Sequence, residues 1–422
     1  MSRALEIARR TERFDEVERS DPVMATVHLA AACAWMATLS IARAPEGIAF
    51  GVLMAVAALR APRTIALYPM LLSSRAFVLF VALAEWQALS ALWSAAPGIG
   101  VRDWLPRFAF MPLALWPVMH RWRTLAAALV CGAAVHGFII AAATVMRAQW
   151  RPGAASGVLT PDICMTSLAL AVAVAALPSR PWPRPWPGAI VRAGAGSAIA
   201  TALVLLGQRM PAIAAVCGGA VSFLRPSPGQ RFRTVAWIVG AAAVLGIAAA
   251  LMSATPRNRA WMGRAVAMIA GDAGAVTDAQ LNEVSGARIP LARLALEVWR
   301  EHPLCGAGAR TYADAARRRF AEDPAEYGIP PAKVARMSTL ACAHNAFLDE
   351  ASERGIVGVG LLVALLAACW WRAWRLDPWS GTAGMLGVWT VACLTQSMTV
   401  RGVAVLLLAV IVTRCAFVER DP

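Results

Sequence analysis

Long apolar stretches, separated by short arginine-bearing loops, dominate the chain. Windows of about 20 apolar residues, the length that crosses a hydrocarbon core, fall at 22–42, 47–60, 76–95, 104–119, 124–146, 162–177, 193–208, 210–224, 234–252, 345–371, 380–398 and 401–417. They predict an all-α, polytopic membrane protein of about twelve transmembrane helices, with one large loop between helices 9 and 10. Residues 1–21 are highly charged, and the first apolar run is long enough to span, so 1–21 is expected as a tail and 22–42 as the first helix rather than a cleaved signal peptide. The remaining parts are a membrane domain over 22–252, an extramembrane subdomain over 253–343, a second membrane portion over 344–417 and a short tail over 418–422.

Composition agrees with this pattern. Of 422 residues, 59% are hydrophobic and 15% charged, and the mean hydropathy of +0.57 excludes an ordinary soluble protein of this length. The net charge of +15 does not signal nucleic acid, because the arginines are spread through short loops instead of forming a basic domain. With both termini cytoplasmic, the inner segments carry Arg3, Arg9, Arg10, Arg13 and Arg19, then Arg60, Arg63 and Arg75, Arg121 and Arg123, and later Arg372, Arg375 and Arg414. The short outer loops carry few: Arg43, Arg102, Arg147, Arg151, Arg209 and Arg401. That asymmetry is the positive-inside pattern. The nine cysteines show no CxxC spacing and suggest no metal site.

Two loops stand apart. "PSRPWPRPWPG", Pro178 to Gly188, reads as a non-helical interfacial anchor. "IPLARLALEVWREHPL", inside the large loop, reads as a partly amphipathic helix suited to lying along the membrane surface.

Charge at a membrane edge is costly and asks for a partner or a purpose. On the outer side, His344 opens the last quarter of the chain, Arg209 sits where two apolar runs meet, Arg288 lies on the large loop and Arg147 ends the run 124–146. Read singly, each has an ordinary explanation: an interfacial histidine, a turn-flanking arginine, a solvated loop residue, and a helix end that snorkels. Together they suggest an anionic ligand, and a diphosphate suits the rigid fork of a guanidinium. No Asp-x-Asp pair lies on this face to hold a metal, so arginines would stabilise a diphosphate leaving group themselves. A histidine would be the base for an attacking hydroxyl. Asn345 either orients the imidazole or binds substrate, and Gly355, Gly358 and Gly360 would allow close helix packing behind it. Glu85 and Arg107 read as a structural pair between adjacent runs, His136 as a hydrogen-bonded core residue, and Cys305 and Cys342 as either a disulfide or two free thiols.

At these residues the sequence resembles the O-antigen ligase family, whose late signature is shared with O-antigen polymerases and bacterial O-oligosaccharyltransferases. The signature's His-Asn, following Leu, and Glu-x-Gly-x-x-Gly stand here as His344, Asn345, Leu348, Glu353, Gly355 and Gly358. "EHPLCGAG", Glu301 to Gly308, is similar to the family's His-Pro-Leu-x-Gly-x-Gly segment, and Arg288 matches the preceding Ser-Gly-Arg with Ala287 as a one-residue departure. "LSALWSAAPG", Leu89 to Gly98, resembles the early signature, and Arg209 corresponds by helix order to a membrane-edge arginine.

The resemblance implies a glycosyltransferase of the bacterial inner membrane with its active site facing the periplasm. Its donor would be an undecaprenyl-diphosphate-linked glycan, and its acceptor a sugar hydroxyl of lipid A–core. Transfer would be metal-independent, without a cofactor, and inverting. His344 is then the base, Arg209 and Arg288 bind the diphosphate, and Asn345, Arg147 and Glu353 support them. Membrane lipids are expected partners and nucleic acid is not. The alternatives are an O-antigen polymerase or protein O-oligosaccharyltransferase using the same donor. A transporter or flippase is a further alternative, against which stands the lack of a repeat between the two halves of the chain.

Overall fold

A computed structural model describes residues 3–41, 43–95, 97, 108–146, 163–176, 186–206, 209–223, 288–329, 333–338, 342–376, 381–400 and 402–417. Every regular element among the described residues is helical. The first is α1 (Arg3–Ser20), followed by α2 (Pro22–Thr38), α3 (Arg43–Thr64), α4 (Tyr68–Leu72) and α5 (Arg75–Leu89). A 3-10 turn, Ser90–Trp93, extends α5. Next come α6 (Met111–Leu115) and α7 (Trp122–Met146), joined by a 3-10 segment at Trp116–Arg121, then α8 (Ile163–Ala176), α9 (Trp186–Leu206) and α10 (Arg209–Phe223). The large loop supplies α11 (Arg288–Glu301), α12 (Thr311–Glu322) and α13 (Val334–Met337). The chain closes with α14 (Ala346–Leu376), α15 (Thr382–Cys393) and α16 (Gly402–Phe417).

Among the described residues, four helical stretches are long and apolar enough to cross a membrane by length and composition: Glu46–Leu72, Arg75–Trp93, Met111–Met146 and Ala346–Trp374. Shorter apolar helices accompany them, among them Pro22–Thr38, Thr382–Cys393 and Gly402–Phe417. The arrangement is that of a polytopic membrane protein. The windows 104–119 and 124–146 stand as two passes: Ala114 lies beside His28 of α2 and His120 beside Glu18 just before α2 starts, whereas Gly132 lies beside Ala37 at its end. The chain therefore turns back through the 3-10 segment Trp116–Arg121, where Pro117 removes a backbone donor. The window 234–252 lies outside the described residues. α9 ends at Leu206 and α10 starts at Arg209, dividing those two runs where the sequence does. The proline-rich loop is shorter than expected: α9 already begins at Trp186, because Pro187 falls in a first turn that needs no donor.

Small residues let the helices approach closely. A Cβ on Gly132 would fall 2.0 Å from the Ala37 carbonyl oxygen, so α7 and α2 meet backbone to backbone. Gly137 meets Ala198 of α9 in the same way, and Gly218 of α10 meets Gly384 of α15. His136 is fully buried in this core.

The segment 1–21, expected as a tail, is helical up to Ser20 and docked on the bundle. Phe14 is buried against Trp116, His120 and Phe417. Glu18 takes His120 at 2.8 Å and Arg121 at 2.6 Å, and Asp21 takes Arg63 at 2.5 Å. An apolar residue spaced within a charged run gives the helix a face to bury.

The described part of the large loop has its own small core: Leu291, Leu294, Ala295 and Val298 of α11 against Tyr312, Ala316 and Phe320 of α12, with Tyr327 and Met337. The apolar face of α11 is therefore turned to α12 and α14, not laid along the membrane as the sequence suggested. Arg319 fastens the two helices by reaching Glu297 at 3.1 Å and Glu301 at 2.5 Å.

Candidate functional site

The site is built around a break in α14. Gly355 has φ 66 and ψ −163, outside helical space, and divides the helix into an outer part, 346–354, and an inner part, 356–376. A helix broken there leaves carbonyls and N–H groups without intrahelical partners, and a buried orphan is costly. The turn 303–308 supplies those partners. Ala307 N–H donates to Ser352 O and Gly308 N–H to Glu353 O, both at 2.9 Å. In return Ile356 N–H donates to Pro303 O at 2.9 Å and Val357 N–H to Leu304 O at 3.5 Å. The Trp86 indole N–H caps the remaining Arg354 carbonyl at 3.1 Å.

This interlock explains the glycines of two motifs at once. Gly306 has φ 71, and a Cβ there would lie 2.2 Å from both Glu353 C and Arg354 N. A Cβ on Gly355 would lie 2.1 Å from Leu304 O. Only glycine permits both the backbone conformation and the contact. Gly308 in turn lies against Ser94 and Trp93, and Ala309 N–H donates to Ser90 O at 3.2 Å. Three segments far apart in the chain, 90–94, 303–309 and 352–357, thus meet at one end of the bundle through backbone contacts.

His344 stands at the outer end of α14, before its first residue, half-buried, with φ 55. Among the described residues it shares a positive φ with only one other non-glycine, Arg310. Such a conformation carries strain and is held only where the surroundings over-determine it. The surroundings do so from both sides. Ala343 N–H donates to Asp349 Oδ1 at 2.7 Å. Asn345 Oδ1 accepts the N–H groups of Phe347 at 3.0 Å and Leu348 at 3.1 Å, the geometry of a helix N-cap. Asn345 Nδ2 also donates to Leu394 O at 3.1 Å. Arg288, the first residue of α11, donates from Nη2 to the next carbonyl along, Thr395 O, at 3.2 Å. Arg288 and the His344–Asn345 corner are thereby moored to adjacent residues of the turn after α15.

Beneath them lies a buried polar layer. Glu350 is fully buried and its Oε1 accepts from Gln87 Nε2 at 2.7 Å, Thr399 Oγ1 at 2.6 Å and Arg354 Nη1 at 3.3 Å. Arg354, also fully buried, reaches Glu353 Oε2 at 3.3 Å. Gly358 leaves room for this layer: a Cβ there would meet Arg354 Cβ at 2.6 Å. Gly360, expected to help helix packing, has nothing within 4 Å of where a Cβ would stand.

Sequence reasoning singled out Glu353 but passed over Asp349, Glu350 and Arg354. Their signal was available, since each is an ionisable residue entering a long apolar run. Arg209 heads α10, but its side chain lies outside the described residues, as do Arg147 and Arg107, the expected partner of Glu85. Cys305 is exposed and Cys342 buried, and the two are not joined by a disulfide in this structure. A trio at metal-ligand spacing among the described residues, Asp15, Glu18 and His120, belongs to the opposite end of the bundle, and its two carboxylates face Arg121.

A helical membrane protein that gathers a strained histidine, an arginine and a buried carboxylate layer at one end of its bundle has the form of a membrane enzyme or carrier acting on a ligand at the bilayer edge. Comparison with known families narrows this. Residues 194–363 match the O-antigen ligase family model. The match runs from within α9 through the interlocked turn and His344 into the inner half of α14. Members of this family transfer lipid-linked glycans. No curated protein matches the chain.

Proposed function

We propose that the protein is an O-antigen ligase, transferring a glycan en bloc from undecaprenyl diphosphate to a sugar hydroxyl of lipid A–core at the periplasmic face of the bacterial inner membrane. The observation that carries this reading is the strained His344 held at the N-cap of α14 between Asp349 and the Leu394–Thr395 turn that also takes Arg288, within a chain whose residues 194–363 match the ligase family model.

In this mechanism the donor's diphosphate is held by Arg288, with Arg209 as a second cation. The acceptor hydroxyl attacks the anomeric carbon and gives its proton to His344. The carbon–oxygen bond to the diphosphate breaks with inversion, and undecaprenyl diphosphate leaves with the bonding pair. The arginines stabilise the charge that develops on that leaving group. Asn345 positions His344 by capping α14 and anchoring to Leu394 O, while Asp349 clamps the preceding residue. Glu353 acts at one remove, since its carbonyl accepts from Gly308 N–H and its carboxylate faces Arg354.

The test is transfer by purified protein in lipid, with chelator present, from a polyprenyl-diphosphate glycan to three acceptors offered separately. Product on lipid A–core alone supports the ligase. Product on a Ser/Thr peptide, or lengthening of the lipid-linked glycan itself, would replace it with protein glycosylation or polymerisation. Absence of transfer with competent substrates would overturn the transferase reading.

A further inference from the structure

The turn that locks α14 also presents an apolar tip. Pro303, Leu304 and Cys305 are all exposed, Leu304 to 68%. Ordinary solvent-facing turns are polar, so a bare leucine between a proline and a cysteine asks what covers it. Its neighbours answer. Leu304 O accepts from Val357 N–H, and Pro303 O from Ile356 N–H. Ile356 and Val357 are exposed at 49% and 39%, on a helix that is long and apolar enough to span. On the other flank, Leu89, Leu92 and Trp93 are exposed at 48%, 77% and 38%, where the 3-10 turn meets Gly308.

The depth of this patch can be placed. Trp371 and Trp374, exposed at 54% and 42%, mark the far end of α14 as an interfacial aromatic belt would. From Trp374 back to Ile356 the helix rises about 27 Å at ~1.5 Å per residue, close to the ~30 Å of a hydrocarbon core. The outer boundary of the core therefore falls at the Gly355 break. Leu304 is hydrogen-bonded to the chain at that level, and Trp93 stands in the outer belt. Arg300 and His302, exposed just before the tip, are at the height of lipid headgroups.

We infer that the 303–305 tip is inserted in the outer leaflet, so that the extramembrane subdomain rests on lipid through this turn and not through α11. Its occupant is the bilayer: the patch is continuous with the lipid-facing surface of two membrane-length helices, Arg75–Trp93 and Ala346–Trp374. The inference needs only the membrane reading of the chain and stands apart from the transferase assignment.

Cys305 is a native reporter. In a full-length background carrying Cys33→Ala, Cys131→Ala, Cys164→Ala and Cys217→Ala, it is the exposed thiol that remains, since Cys342, Cys369, Cys393 and Cys415 are buried. A nitroxide on Cys305, in nanodiscs of phosphatidylethanolamine and phosphatidylglycerol, is compared by its collision rates with oxygen and with a water-soluble nickel chelate. Two references, each made with Cys305→Ala in the same background, fix the scale: one keeps the native Cys131, exposed on an apolar helix of the membrane bundle, and the other carries Arg317→Cys, where the arginine is 71% exposed on α12. Oxygen access exceeding nickel access at Cys305, as at Cys131, is the expected result. Nickel access matching Arg317→Cys would overturn the inference by placing the tip in water. Low access to both would overturn it too, by placing the tip under protein.

Discussion

Replacing Gly306 by alanine tests whether the broken helix and the turn are one mechanical unit. Three effects add. Left-handed backbone for a non-glycine residue costs about 1–2 kcal/mol. A methyl 2.2 Å from Glu353 C and Arg354 N is overpacking, typically about 1–3 kcal/mol. Displacing the turn also weakens the hydrogen bonds from Ala307 and Gly308 to Ser352 and Glu353, at about 1 kcal/mol each. Even the lower end of the sum, about 4 kcal/mol, should lift the turn from α14 while the bundle stays folded. Hydrogen exchange reads this directly: at ~1.4 kcal/mol per decade, the amides of Ala307 and Gly308 should exchange faster by on the order of a thousandfold. Gly360→Ala is the control. It is helical with open space around it, and should be neutral or stabilising by up to about 1 kcal/mol. Equal exchange in Gly306→Ala and Gly360→Ala would refute the interlock.

Other consequences follow from neighbouring residues. Glu350→Ala removes one of the two carboxylates paired with the buried Arg354, and should destabilise the protein by about 3–5 kcal/mol in thermal unfolding. Glu350→Ala combined with Arg354→Leu should recover part of that loss. Asn345→Ala removes the N-cap and should cost about 1 kcal/mol. Asn345→Asp keeps the cap but not the donor to Leu394 O, so stability should survive better than transfer activity. The subdomain should loosen in alkali. Burial, with the hydrogen bond to Glu297, holds the Tyr327 hydroxyl up at about 12, and burial raises Tyr312 well above its ordinary value. An acid whose folded value is raised stabilises fully below its unfolded value, ~10, and loses that contribution as pH rises. Ultraviolet titration should therefore find these tyrosines ionising late, with loss of α11–α12 structure above about pH 10. Ionisation of both at the ordinary value with no structural change would contradict it.

Much of the architecture was legible in the sequence because apolar run length is a direct physical readout of a membrane span. The runs at 22–42, 162–177 and 401–417 correspond to α2, α8 and α16 within a few residues. Legibility failed where one residue decides against its surroundings. Phe14 and Val17, two apolar residues in a charged stretch, turn an apparent tail into a docked helix. The amphipathic pattern of α11 announced a buried face, but not what would cover it. At the site, His344 and Asn345 were found by motif, and the N-cap role of Asn345 follows from its side chain. The Gly355 break was hidden, since a glycine in an apolar run reads as close packing, and only the meeting with Gly306 reveals a backbone joint. Asp349 and Glu350 were passed over because a motif draws the eye to its own letters.

In the proposed mechanism, the corner held by Asp349, Asn345 and the Leu394 carbonyl presents His344 as a base. Single-turnover transfer by His344→Ala tests it most directly, with hydrogen exchange at Ala307 and Gly308 confirming that the interlock is intact. Transfer reduced by about 10²-fold or more, with donor binding retained, is the predicted result. Turnover within a few-fold of the wild-type protein would contradict it and return the strained φ of His344 to a purely structural role.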